Sequence, residues 1–339
     1  MRAIWLGLIS MLVVHDVSAA SLPPLTFGHE ADSLRMFDSY QSAKYEPAKY
    51  AVRYSPSGKY FNMDVLKASY SSPTFKFDSF GMPMVSYEKP GESQRTYHYN
   101  PVTLSQFILR EHSIVINGDM SAAKKIKVAA DKLIELQSDD GAFRYDYSFR
   151  IWPMPEFKPG WVSALGQGSA ISAYVRAWNT TGDERYAKGA AKAFAFLKVK
   201  KENGGVRTTL AELGDGLGRY MWLEEYPAEI TPYTLNGLMF TLIGLYDWCK
   251  SSPYSDRASA CYYFDENLKS LKKVLPLYSV GGASMYDLSV YTYGTEKAKF
   301  NAFYHMIHIV LLNGLYTVTG DSELAIYAQI FDSASRGSR

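Results

Sequence analysis

Two cysteines among 339 residues, a formal charge of only +2 and no apolar run of membrane-spanning length beyond the first residues set the outer limits on this chain. Two thiols without a histidine cluster beside them do not make a zinc site. The near balance of 36 basic and 34 acidic residues excludes a general electrostatic pull onto nucleic acid or an anionic membrane, so any polyanion must be held by a local cluster. No G-x-G-x-x-G follows a strand pattern, and there is neither a Walker loop nor a G-x-S-x-G elbow, so no cofactor is signalled.

Apolar residues make up 47% of the chain, ample for a core, and 27 tyrosines outnumber 17 phenylalanines and 6 tryptophans. Tyrosine couples an apolar ring to a hydroxyl, which suits a sugar cleft, although it equally fills sheet faces and helix interfaces. Arg2, the apolar stretch 3–14 and the small residues Val17-Ser18-Ala19 read as a targeting segment cut near Ala20. At about 12 residues that stretch is short of the roughly 20 a spanning helix needs. The expectation is an exported chain, periplasmic or secreted in a bacterium and luminal in a eukaryotic secretory pathway, with no membrane span once mature. In such a compartment Cys249 and Cys261 could bridge, while two free buried thiols remain an open alternative, because spacing alone does not bring side chains together.

Three regions follow: a signal segment over 1–19, a β-rich module over 20–95 and a helical domain over 96–339. The module is read from short Tyr/Phe/Val stretches broken by turns such as Ser55-Pro56-Ser57-Gly58, with 50–54 and 59–63 expected to flank that turn as a hairpin. Beyond residue 100 the period becomes helical. Gly118-Asp119, Thr181-Gly182-Asp183 and Thr319-Gly320-Asp321 each separate two apolar helical runs, as where Gly ends one helix and Asp caps the next. Lys250-Ser251-Ser252-Pro253 supplies a fourth tip of this kind. Gly-led loops at 140–143, 203–206 and 281–285 alternate with these tips. The pattern predicts a mainly α fold, an incomplete (α/α) toroid of helical hairpins with a smaller β-rich N-terminal module, whose cleft lies at the rim of the longer loops.

Glu225, Tyr226 and Tyr286 fall in those loops, and Tyr304 opens the helix after one. Adjacent acids such as Glu224 and Glu225 are ordinarily solvated, but Trp222, Leu223 and Pro227 flank these, and a carboxyl held among such groups would exchange protons near neutral pH. Each phenol alone is ordinarily a packing residue; three on one rim are candidates for proton donation. His305 and His308 share a helical face without a third ligand, which favours histidines that orient neighbouring tyrosines over a metal site.

The segments Pro159-Gly160-Trp161, 166–172, Glu224-Glu225-Tyr226-Pro227, Leu235-Asn236-Gly237 with 242–247, and Tyr304-His305 with His308-Ile309 occur in the order found in glucuronyl C5-epimerases. Over roughly 140–339 the chain resembles the C-terminal catalytic domain of that family, with weaker likeness at 99–103 and in the tail Arg336-Gly337-Ser338-Arg339. The resemblance implies conversion of D-glucuronate to L-iduronate in a heparosan-like anionic polysaccharide, with Glu225, Tyr226, Tyr286 and Tyr304 handling the proton at carbon-5. It further implies substrate contacts from Trp161, Gln167, Arg176, Arg219, Glu224, Asn236 and His305, no cofactor for catalysis, a structural calcium in the N-terminal β region and a homodimer. The animal enzymes carry an arginine where this chain has Ser289, so another cation, with Arg176, Arg207 and Arg219 as candidates, must serve or the sugar differs. A uronate-polymer lyase shares the first step, and a non-catalytic glycan-binding protein would keep the cleft for recognition alone.

Overall fold

The computed structural model describes residues 25–27, 54–61, 73–88 and 95–337, with side chains for those between 54 and 333. The segment 1–19, most of the hairpin expected around Ser55-Pro56-Ser57-Gly58 and much of the 20–95 module lie outside these residues. Among the described ones, β1 (Leu25–Phe27) pairs in parallel with a strand near the far end of the chain, residues 298–300, and β2 (Phe75–Phe77) pairs antiparallel with β3 (Pro83–Val85). Asp78 shapes the turn between that pair, one carboxylate oxygen accepting from the backbone N–H of Phe80 and of Met82 at 2.8 Å each.

Helix α1 (Pro101–Ile116) starts where Asn100 Oδ1 accepts from the Val102 N–H at 2.7 Å and Pro101 occupies the first helical position, which has no N–H to satisfy. It is followed by α2 (Ala122–Leu136), α3 (Ala164–Thr181) and α4 (Glu184–Leu197), then by strands β4 (Arg207–Thr209) and β5 (Met221–Leu223). Helices α5 (Leu235–Ser251) and α6 (Arg257–Val274) come next, with β6 (Ser279–Val280), β7 (Ala283–Ser284), the one-turn α7 (Ser289–Thr292) and β8 (Ala298–Phe300). Helices α8 (Ala302–Thr319) and α9 (Ser322–Gly337) complete the described chain.

The tips form as the capping chemistry dictates. Gly182 and Gly320 end α3 and α8 in the left-handed region, φ 73° and 70°, and Asp183 and Asp321 accept from the first N–H groups of α4 and α9. Packing then sorts the helices into two rows. Helices α1, α3, α5 and α8 lie against one another in that order, while α2, α4, α6 and α9 each back the inner helix that precedes them. Helix α5 is buried around nearly its whole circumference, whereas α2 and α4 bury one stripe, as inner and outer helices should.

Contact between α3 and α5 is backbone-close. A Cβ placed on Gly244 would stand 2.2 Å from the Gly168 carbonyl oxygen, so only glycine permits this approach. At the far end of α5, Cys249 is disulfide-bonded to Cys261 of α6, which settles the alternative left open by spacing. Fully buried Arg176 on α3 pairs with Asp247 on α5 at 2.8 Å, and Tyr54 donates to both Asp247 oxygens at 2.9 Å. Arg176 also donates to the backbone carbonyls of Ser55, Gly58 and Ser172, so this ion pair fastens 54–61 onto the inner helices. No helix among the described residues is long and apolar enough to cross a membrane.

Candidate active site

The site is assembled from the loops that follow outer helices. β5 pairs antiparallel with β4, and its chain then runs straight into Glu224, whose N–H donates to the Val206 carbonyl and whose carbonyl accepts from Ala164 at the start of α3. Tyr286 is clamped by backbone bonds on both sides, accepting from Leu235 at the start of α5 (3.1 Å) and donating to Lys299 of β8 (2.8 Å). Asn301 caps α8 through the Tyr304 N–H at 3.1 Å, which places Tyr304 in the first turn. Segments sixty and more residues apart thereby meet.

Tyr226 and Tyr286 bring their hydroxyls to 3.4 Å, and the rings of Tyr286 and Tyr304 lie 4.7 Å apart, centroid to centroid. Glu225, 4% exposed, accepts from Asn236 Nδ2 at 3.2 Å and rests on the first turn of α5, where a Cβ on Gly237 would stand 2.5 Å from its own Cβ and Oε2. Burial pushes the Glu225 carboxyl up to about 8, with the neighbouring Glu224 adding to the rise. Burial, and then the Glu225 charge, hold the Tyr226, Tyr286 and Tyr304 phenols above the ordinary tyrosine range. These four residues share one field: a carboxyl that can gain or lose a proton near neutrality, beside phenols that keep theirs.

Aromatic rings wall the cluster. Phe149, Phe157 and Trp161 lie 5.7, 6.0 and 6.2 Å from the Tyr226 ring, and Met154 packs beside Tyr226 and Tyr286. Trp161 is fixed by its indole N–H on the Tyr147 carbonyl at 3.0 Å and by the Tyr145 ring stacked on it at 3.9 Å.

Glu224 turns away from the phenols. Its oxygens accept from the Trp222 indole N–H (3.1 Å) and from the backbone of Tyr226 (3.1 Å) and Thr234 (3.4 Å), bracing the loop against the N-terminus of α5. Burial lifts this carboxyl as well, to about 7. His305 stands behind Tyr304. The Ser284 N–H donates to His305 Nδ1 at 3.0 Å, so Nε2 carries the proton and donates to the Phe331 carbonyl at 3.1 Å. Ser284 Oγ also lies 2.7 Å from His308 Nδ1, and burial depresses both imidazoles, His305 to about 4.

Of the residues expected at the substrate, Gln167 and Arg176 are taken up by bonds inside the protein, and Arg219 lies at the surface. Gln167 is fully buried, accepting from the Phe143 N–H and donating to the Gly141 carbonyl at 2.9 Å each, and so fastens a Gly-led loop onto α3. Arg176 is held in the core ion pair with Asp247, its donors directed at protein oxygens and phenol. Arg219 is exposed and lies over the Tyr220 ring at 5.2 Å. Of the other arginine considered, Arg207, Nε donates to the Lys198 carbonyl at 2.9 Å.

Ser289 opens the short α7 and donates both its N–H and its hydroxyl to Asp287 Oδ1, and the cation that answers this buried Asp287 is Lys299, at 2.9 Å. Lys299 Nζ also lies 5.9 Å from the Tyr286 ring centroid, bringing to the site a positive charge that sequence reasoning missed. Tyr87 was missed too. It stacks on Tyr147 at 4.7 Å, meets Phe149 at 5.5 Å and accepts from Asn100 Nδ2, and its phenol feels the Glu225 charge. The only prior signal for it was the short likeness at 99–103, which contains Asn100. The calcium implied by resemblance falls in a region mostly outside the described residues, which themselves hold no cluster of three or more His, Cys, Asp or Glu able to bind a metal.

Comparison with known proteins converges on the same segments. The model of the D-glucuronyl C5-epimerase C-terminus matches residues 137–333. The chain is 31% identical over 252 residues to the D-glucuronyl C5-epimerase of Caenorhabditis elegans, covering 68% of this chain and 40% of that one. It is 32% identical over 179 residues to an uncharacterised protein of Methanocaldococcus jannaschii, covering 53% of each. The chain therefore spans less than half of the nematode enzyme and about half of the archaeal protein. With the matched region taking in all four clustered acid/base residues, the chain belongs to the family of the D-glucuronyl C5-epimerase C-terminus.

Proposed function

We propose that the protein is a polysaccharide glucuronyl C5-epimerase, an isomerase that converts D-glucuronate to L-iduronate within a heparosan-like chain. The observation that supports this most is the meeting of Glu225, Tyr226, Tyr286 and Tyr304 around one aromatic-walled site. The reading includes an incomplete (α/α) toroid, with the inner row α1, α3, α5 and α8 presenting its long loops to the polymer.

In this mechanism ionised Glu225 takes the carbon-5 proton, and the electron pair of the broken C–H bond spreads into the adjacent sugar carboxylate. A phenol on the opposite face, Tyr304 or Tyr286, delivers its proton to carbon-5 and becomes phenolate. The Glu225 proton then returns to that phenolate through the Tyr226–Tyr286 contact, restoring the starting protonation. A base with a pKa near 8 is well matched to this exchange, since it is partly ionised at neutrality yet holds a proton firmly. Lys299 and the neutral phenols supply positive charge and donors to the carboxylate as its charge grows.

Incubation with heparosan in deuterated water tests the reading. Deuterium at carbon-5 with iduronate formed and the chain intact is the expected result. An unsaturated uronate absorbing in the ultraviolet would instead identify a lyase, and absence of exchange by folded protein across a panel of glucuronans would overturn the proposal.

A further inference from the structure

The hairpin between Phe149 and Phe157 is a wall of the site, and its outer face is made of different material from its inner one. Phe149 and Phe157 are joined by a pair of backbone hydrogen bonds, 2.9 and 2.8 Å, and the Met154 N–H returns to the Ile151 carbonyl at 3.0 Å, so the tip is tight. Phe149, Ile151, Met154 and Phe157 all join the cluster around Tyr226 and Tyr286. Arg150 and Trp152, alternating with the first two, face solvent, and Trp152 is 58% exposed. An indole left in water on the wall of a carbohydrate site costs hydration free energy that an apolar sugar face would recover.

Resting on the reading of the site as a glucuronan epimerase, we propose that Trp152 and Arg150 form an outer subsite for the sugar next to the one being epimerised. Trp152 offers an open ring face to the C–H face of a pyranose. Arg150, two positions away on the same face, offers an exposed guanidinium to a polymer carboxylate. Trp152 and Met154 are two residues apart, at most about 7 Å between Cα atoms. Met154 belongs to the same buried cluster as Tyr226 and Tyr286, so the platform stands within a neighbouring sugar's reach of the centre. Glu156, the acid on this hairpin, is paired with Lys158 and also feels the Arg150 charge, while the Arg150 side chain stays exposed to solvent.

Two measurements separate this inference from the function on which it rests. The first is affinity for heparosan by calorimetry, and the second is carbon-5 deuterium exchange, each in the parent, Trp152→Ala, Trp152→Phe and Arg150→Gln. Trp152→Ala should weaken polymer binding about ten-fold and raise KM to match with kcat held, and Trp152→Phe should restore most of it. Arg150→Gln should weaken binding in a salt-sensitive way. Parent-like affinity of Trp152→Ala, or no recovery with Phe, would overturn the subsite even if exchange proceeds normally. Trp152-dependent binding without exchange in the parent would keep the subsite and remove the epimerase reading. Both side chains are exposed, so unchanged thermal midpoints accompany either result.

Discussion

Glu225 is buried with Asn236 Nδ2 at 3.2 Å, and its raised ionisation has two measurable sides. Its pKa rises from 4.5 in the open chain to about 8 in the fold, so the fold binds the protonated form better than the unfolded chain does. Below pH 4.5 both states hold the proton and no stability is lost. As pH rises through 8 the stability contributed by the proton disappears, because the unfolded chain ionises freely while the buried carboxyl resists. Glu225→Gln should therefore be more stable than the parent at pH 8, by an amount on the order of a few kcal/mol, with the advantage fading towards pH 4.5. Urea unfolding at both pH values checks this; equal stability at pH 8 would refute the burden assigned to the carboxyl. The same substitution should cut carbon-5 exchange at least about 100-fold, and in the parent kcat/KM should climb with pH towards a plateau above 8.

Single residues were unevenly readable in the sequence. Glu225 and Tyr226 stood out because Trp222, Leu223 and Pro227 around them left little chance of free solvation. Gln167 and Arg176 looked equally available, since a polar side chain on an apolar helix gives no sign of whether its partner is a ligand or a buried carbonyl. Their partners, Phe143 and Gly141 for one and Asp247 for the other, are set by packing. Tyr87 and Lys299 escaped notice because their roles come from segments that sequence spacing does not connect to the catalytic loops.

At the scale of elements, the hairpin tips were legible because capping is local: a glycine in the left-handed region and an aspartate accepting the next N–H need only a few neighbouring residues. Helix proximity was not legible in the same way. Gly168 and Gly244 read as ordinary helical glycines until α3 and α5 are brought together. Gly244→Ala should destabilise by about 3 kcal/mol, towards the upper end for overpacking, because the obstructing atom is a backbone carbonyl that cannot rotate away. A urea midpoint equal to the parent's would show that the two helices can part without cost. The disulfide between α5 and α6 closes a loop of sequence separation 12, for which chain entropy suggests roughly 3 kcal/mol. Melting with and without dithiothreitol should reveal that loss, with the α5–α6 tip opening first in hydrogen exchange.

Across the whole molecule, the Arg176–Asp247 pair joins two inner helices and the 54–61 segment in one buried network. Arg176→Met should cost about 3 to 5 kcal/mol, because Asp247 is left charged in a dry interior, and Arg176→Met with Asp247→Leu should regain much of it. Denaturant titration of the two variants decides this; a double variant no better than the single would mean that the lost anchoring of 54–61 dominates. The parallel pairing of β1 with β8 reaches still further along the chain, placing Thr26 beside Lys299. Lys299 accepts the backbone hydrogen bond of Tyr286, and Asn301 just beyond caps the helix of Tyr304. Trimming the protein back to its family-matched portion would thus strip a bonding neighbour from the very ribbon that suspends two of the phenols, so a shortened version that still folds should be a slack catalyst.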